Sequence, residues 1–349
     1  MIITPGLWSP PSSPLDLHET SQDQGEKPAA RKPRRSPHEA ELHRRAVELD
    51  AAATPATAIE TAFRHRGWAE DRKRVKAALI RAGVSPQRLE RFVQCGGRCR
   101  VQYSAAANRH RLVGQYCRDR FCIPCCNARS VRVQAWMLRV IRDDRLRFIT
   151  LTLRASDDTL RAVHDRLIVC FRALREESCW KNAIKGGAAV VEITRGKYGT
   201  HWHVHLHVLV VGGFLDKREL KDAWLRTTGD SFIVDIRSVG NANDAVRYVA
   251  KYATKGWAAS VLRDPDATVE CIESLRGRRL LITFGTWYRF DDPGEDEAVD
   301  DWHEVGRLGE VFFAALDRQQ WAMGVFRGLG VVIGGTVARP WFVELADDS

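Results

Sequence analysis

Two different periodicities organise the middle of the chain. Residues 148–153, Phe148-Ile149-Thr150-Leu151-Thr152-Leu153, alternate apolar and β-branched positions, which predicts a half-buried strand. Residues 188–194 and 202–211 read as two further strands joined across Arg195-Gly196-Lys197-Tyr198-Gly199, a turn that suits a hairpin. Helical spacing then takes over in residues 217–227 and 243–255. Asn243 is a candidate N-cap for the second helix and Gly256 a candidate stop. Together these elements predict an α+β fold, an antiparallel sheet with flanking helices. No internal repeat is visible.

The flanks are different. Residues 1–55 are rich in Pro, Ser, Glu and Arg, carry the basic run Arg31, Lys32, Arg34, Arg35, and read as a disordered basic arm. Residues 56–94 form a charged helical segment, 95–136 a cysteine-rich module, 147–290 the main α+β domain, and 291–349 a C-terminal region of unknown role. The acidic stretch 291–304 reads as a solvated loop. With 349 residues, the chain can bury a core without disulfides. The start MIITPGLWSPPSSP lacks the charge and apolar run of a signal peptide, and apolar residues 328–338 are too few to span a bilayer. A cytoplasmic protein with no membrane partner is expected. A net charge of +10, from 54 Lys+Arg against 44 Asp+Glu, fits a polyanionic partner.

His201-Trp202-His203-Val204-His205-Leu206-His207 places four imidazoles on one face of a strand and Trp202, Val204 and Leu206 on the other. Residues at i and i+2 stand about 6 to 7 Å apart, so two such rings can lean onto one ion. His205 and His207 are the preferred pair. Glu192, on the preceding strand, can be brought beside them by the hairpin as a third ligand. On the later helix Tyr248, Lys251, Tyr252 and Lys255 share one stripe. A phenol, with its ordinary pKa near about 10, becomes a useful nucleophile toward phosphorus only beside cations such as Lys251 or a divalent ion.

Six of the nine cysteines cluster between residues 95 and 126. Cys95-x3-Cys99 followed by Cys117-x4-Cys122-x2-Cys125 suits tetrahedral coordination of structural Zn²⁺. Cys99, Cys117, Cys122 and Cys125 are the favoured set, with Cys95 and Cys126 as competitors. Arg98, Arg100, Arg118, Arg120, Arg129 and Arg132 surround them and can contact phosphates.

In order and spacing these motifs resemble the HUH endonuclease superfamily, particularly the rolling-circle replication initiators of small plasmids and single-stranded DNA phages. Residues 148–153 resemble its first strand motif, His205-Leu206-His207 its metal motif, and Tyr248-Val249-Ala250-Lys251-Tyr252 its nucleophile motif. The resemblance covers roughly residues 95–285. It implies that His205 and His207 hold Mg²⁺ or Mn²⁺ with Glu192 or His203 as a further ligand. Tyr252 would attack the scissile phosphate of single-stranded or extruded origin DNA, leaving a 3′-OH primer for host helicase and polymerase. Tyr248 matches the phage-type pattern, in which two tyrosines alternate; many plasmid members have a glutamate there. A transposase with the same chemistry, a water-using phosphoesterase and a non-catalytic zinc-containing DNA-binding regulator are the alternatives.

Overall fold

The computed structural model describes residues 36–141, 145–195, 201–255, 259–288, 301–329 and 345–346, without the side chains of Tyr248 and of residues 251–255, 259–260 and 345–346. Four helices come first: α1 (Pro37–Ala51), α2 (Pro55–Arg64), α3 (Ala69–Arg81) and α4 (Pro86–Val93). The strands β1 (Arg100–Ser104) and β2 (Arg109–Val113) lead into α5 (Ile123–Val140). Then follow β3 (Leu146–Thr152), α6 (Leu160–Glu176), α7 (Ser178–Ala183), β4 (Ile184–Arg195), β5 (Trp202–Gly212), α8 (Lys217–Thr228), β6 (Ile233–Ser238) and α9 (Ala242–Lys255). The remaining elements are α10 (Ala259–Arg263), α11 (Pro265–Ser274), β7 (Leu281–Gly285), β8 (Trp302–Arg307), α12 (Leu308–Leu316), α13 (Gln320–Gly328) and β9 (Leu345–Ala346).

A five-stranded antiparallel sheet in the order β6-β3-β5-β4-β7 carries the centre of the fold. It bears out the α+β expectation, and the three strands read from the sequence lie side by side within it. β5 is flanked on both sides, so its alternation sends two sets of side chains into two layers. Trp202, Val204, Leu206 and Val208 enter one apolar cluster with Ile149 and Leu151 of β3 and Val191 and Ile193 of β4. Helices α6, α8 and α11 close that face through residues such as Leu167, Phe171, Trp224 and Ile272. On the other face, α5 and α9 cover Leu146, Val190, Leu209 and Val211 with Val133, Trp136, Met137, Val246, Val249 and Ala250. The helix expected at 243–255 begins one residue earlier, and Asn241 rather than Asn243 serves the first turn, its Oδ1 accepting from Asn243 N at 2.9 Å.

Part of the expected arm is helical. Residues 1–35 lie outside the described residues, but 37–51 form α1, whose Leu42 and Ala46 are buried. Its start repeats a local signal also seen in α2 and α4: Ser36, Thr54 and Ser85 each precede a proline and accept from the backbone N–H three residues on. The sparse apolar spacing of α1 hid it, because only two of its residues enter the core. The described part of the C-terminal region, residues 301–329, packs with the cysteine module. β8 pairs with β1 in a second sheet, β8-β1-β2-β9, and α12 and α13 pack on it through Leu308, Val311, Val325 and Phe326 against Val101 and Leu112. Residues 291–300 of the acidic stretch lie outside the described residues, and 302–304, expected as part of a solvated loop, belong to β8.

Glu60 fixes this return. Its carboxylate is buried on α2, accepting from Cys99 N at 3.2 Å and from Arg307 Nη2 at the end of β8 at 3.1 Å. A buried carboxylate without such donors is costly, so the helical segment, the cysteine module and the C-terminal strand are held at one point. Glu60→Ala is expected to lower unfolding free energy by roughly 1–3 kcal/mol, since it strands a buried N–H and a half-buried guanidinium; denaturant titration reads this. Leu206→Ala, which empties a fully buried site at the sheet centre, is expected to cost about 2–5 kcal/mol in the same assay.

Candidate functional site

The antiparallel register puts Thr152, His205 and Glu192 in one row across β3, β5 and β4, and Thr150, His207 and Val190 in the next. His207 Nε2 lies 2.7 Å from Glu192 Oε2, and its Nδ1 lies 3.1 Å from Thr150 Oγ1. His205 repeats the second contact, Nδ1 to Thr152 Oγ1 at 3.1 Å. The rings of His203, His205 and His207 succeed one another at 6.3 Å. The hairpin thus brings Glu192 beside the imidazoles, whereas His201, at the strand's start, turns to Asp157 at 2.9 Å.

The two threonines were not singled out from sequence as site residues, although their β-branched alternation with Ile149 and Leu151 was visible. A hydroxyl can accept from Nδ1–H or donate to Nδ1, so it holds the ring in either tautomer. When it accepts, Nε2 keeps the lone pair that a metal needs, the usual arrangement behind a ligating histidine. Burial pushes the His205 imidazole below the ordinary histidine value; Glu192 opposes this, and His207 and His203 add to it. His205 is thereby kept neutral, the form that ligates.

The residues fit a divalent ion in kind. For metal–ligand distances near about 2.1 Å, two neighbouring octahedral donors stand about 3.0 Å apart, close to the His207–Glu192 separation. The row as it stands does not bring three ligand atoms to within 4.8 Å of one another, which among the described residues is achieved by one group, the cysteines.

Phe148 connects the histidine row to the tyrosine helix. Its ring stacks on His207 with centroids 5.5 Å apart, and it packs against the cluster containing Val246, Val249 and Ala250 of α9. Helix α9 therefore covers one part of the histidine face, and its backbone carries Tyr248, Lys251 and Tyr252. The side chains of those three lie outside the described residues.

Cys95, Cys117, Cys122 and Cys125 converge in a buried group. Their sulfurs are 3.6 Å (Cys95–Cys125) and 3.7 Å apart (Cys95–Cys122 and Cys117–Cys125). A tetrahedral site with Zn–S near 2.3 Å needs S···S edges of about 3.8 Å, so these four fit zinc. Hydrogen bonds within the group hold the Cys95 and Cys125 thiols below their ordinary value and push those of Cys117 and Cys122 above it, so the four share their protons as one unit. Asp119 N donates toward Cys117 Sγ at 3.5 Å, and Arg64 Nη2 lies 3.9 Å from Cys125 Sγ. These donors offset the charge that thiolates would bring into a buried place.

Cys95 thus replaces the expected Cys99. Its neighbour Gly96 takes φ 93°, turning the chain, and Cys99 instead joins the apolar cluster beneath β1. There its backbone N–H is tied to the Glu60 carboxylate, away from the four converging sulfurs. Cys126 is also excluded, its thiol donating to Arg120 O at 2.7 Å. Spacing alone could not separate Cys95 from Cys99, since the choice depends on which way the Gly96-Gly97 turn points them.

An antiparallel α+β core with a histidine–carboxylate row and a buried four-cysteine group belongs to the class that the sequence motifs indicated. Residues 109–310, more than half of the chain, match the family described as replication protein, and the chain belongs to that family. It is similar to Protein rep of Staphylococcus aureus, 31% identical over 159 residues that span 40% of this chain and 69% of that protein. No solved structure matches. No helix among the described residues is long and apolar enough to cross a membrane.

The two cysteine sets are separated by metal content. Cys95→Ser is expected to lose bound zinc, measured by a chromogenic chelator after denaturation, and to lower Tm; Cys99→Ser is expected to retain both. The reverse pattern would restore Cys99 to the metal site.

Proposed function

We propose that this replication protein starts rolling-circle synthesis by cutting one strand of origin DNA through a tyrosine of α9. The observation that carries the reading is the histidine–carboxylate row set beside that helix, with Phe148 packed between His207 and the core of α9. Family membership favours replication over transposition as the setting. The similarity to Protein rep supports the same choice.

His205 and His207 would hold Mg²⁺ or Mn²⁺, with Glu192 or His203 completing the protein donors. The ion, when bound, would polarise a phosphoryl oxygen at the scissile phosphate. Thr150 and Thr152 hold the two rings through Nδ1; Nε2 of His205 would then serve as a ligand atom, and Nε2 of His207, bonded to Glu192, would exchange that hydrogen bond for the ion. Tyr252 supplies the nucleophile: its Oη forms a bond to phosphorus as the bond from phosphorus to O3′ breaks. The phenol gives up its proton, and O3′ takes one up, leaving a free 3′-OH and a 5′-phosphotyrosine. Lys251 offsets negative charge on the transferring group. Tyr248 repeats the transfer in a second round. The 3′-OH would prime synthesis by a host polymerase while a host helicase separates the strands, and the substrate is single-stranded or extruded origin DNA, since the tyrosine must reach one exposed phosphate.

Incubation with a labelled single-stranded origin library and Mn²⁺, followed by denaturing electrophoresis and peptide mass analysis, is expected to yield a DNA adduct on Tyr252. Tyr252→Phe is expected to abolish cleavage and spare DNA binding. Cleavage without an adduct would indicate a water-using phosphoesterase, and binding without cleavage a zinc-containing regulator. Thr152→Val, which keeps shape but removes the hydroxyl at His205, is expected to weaken Mn²⁺ binding about 10–100-fold by calorimetry.

A further inference from the structure

A cleft of about 280 Å³ opens where the loop from Cys117 to Phe121 meets α4 and the end of α11. Five arginines line it, Arg88, Arg91, Arg118, Arg120 and Arg276, with a single carboxylate, Asp119. That carboxylate is already engaged. It takes Arg88 through two oxygens at 2.7 and 3.3 Å, accepts from Phe121 N at 2.9 Å, and is almost fully buried.

The arginines divide into two kinds. Arg88 and Arg120 build the wall: Arg120 donates to the carbonyls of Leu275 and Arg278 at 3.1 and 2.9 Å, joining the cysteine loop to the C-terminal end of α11. Arg91, Arg118 and Arg276 are exposed around the opening. Arg118 is held with φ 52°, a left-handed conformation that costs about 1–2 kcal/mol outside glycine, between the ligand-group residue Cys117 and the bound Asp119. The cysteine group therefore fixes where that side chain leaves the backbone.

Like charges gathered around one opening focus a positive field that attracts an anion. A small organic ligand calls for a mainly apolar pocket, which this is not. An open, arginine-rimmed cleft with no spare carboxylate suits the phosphates of a polymer, and guanidinium pairs them bidentately. Its place in the fold decides which part of the DNA. Ile272 and Leu275 of α11 belong to the cluster on the face of the sheet opposite the histidine row, so a phosphate held here is not the one being cut.

We propose that this cleft grips the phosphodiester backbone of duplex DNA flanking the nicking site, with Arg91, Arg118 and Arg276 as the contacting side chains. The proposal deepens the reading of the protein as an origin nickase, yet its binding test does not require cleavage. Binding here is sequence-independent and positions the duplex while the exposed strand reaches the opposite face.

The test uses the full chain and its triple variant R91Q/R118Q/R276Q. Binding of a fluorescein-labelled DNA duplex of mixed sequence is followed by anisotropy across a salt series, beside cleavage of a single-stranded oligonucleotide with Mn²⁺. The variant is expected to bind the duplex roughly tenfold or more weakly, and its slope of log K against log salt to become shallower by about two to three. Zinc content and single-strand cleavage are expected to stay as in the parent, and a triple Arg→Lys variant to recover most of the salt slope. An unchanged slope with the duplex overturns the proposal, as does an equal loss of affinity for labelled oligothymidine, which would assign the cleft to single strands. Failure of the parent to cleave any strand, with the slope change still present, would sink the nicking reading and leave the duplex cleft standing.

Discussion

The arrangement of this protein depends on one strand being central. β5 is hydrogen-bonded on both sides, so its backbone needs nothing further, and every demand it makes falls on its side chains. One face is apolar from Trp202 to Val210 and requires a full layer of helices, which α6, α8 and α11 supply. The other face is mixed. Its far end, with Leu209 and Val211, requires cover from α5 and α9, and its near end, with His203 and His205, does not. The helix bearing the tyrosines is therefore drawn to the sheet by hydrophobic burial that reaches over His207 and thins toward His205 and His203.

The cysteine group belongs to the same mechanical problem. Cys122 caps α5 and Cys125 lies in its first turn, while Val133, Trp136 and Met137 farther along the same helix pack against α9. At 18 residues the helix spans about 27 Å, so it links the two ends as a rod. A small module with β1 and β2 alone has little apolar area to define a fold. Four thiols in tetrahedral spacing, Glu60 reaching Cys99 and Arg307, and the return of β8 supply what that module lacks.

Basic charge is likewise used in two ways. Some arginines are structural: Arg120 caps carbonyls, Arg88 holds Asp119, and Arg100 lies 3.4 Å from Glu304 across the small sheet. Others remain at the rim of a cleft. The net charge of +10 could not distinguish these, because an arginine that closes a helix end and one that meets a phosphate have the same composition.

Local pattern alone determined the three central strands, the two helices that follow β5, the hairpin pairing of Glu192 with the histidines, and the concentration of thiols ahead of the sheet. Each of these follows from periodicity or spacing within a few tens of residues, where neighbours in sequence are neighbours in space. Tertiary structure decided what hinged on distant partners. Cys95 rather than Cys99 entered the thiol group because the Gly96-Gly97 turn and the buried Glu60 sent them to different cores. Residues 37–51 became a helix because Leu42 and Ala46 found a pocket against other helices, and 302–307 became a strand because β1 had an edge to offer. Thr150 and Thr152 took their places behind the imidazoles only when β3 paired with β5, since no local rule fixes which strand of a sheet will lie beside another.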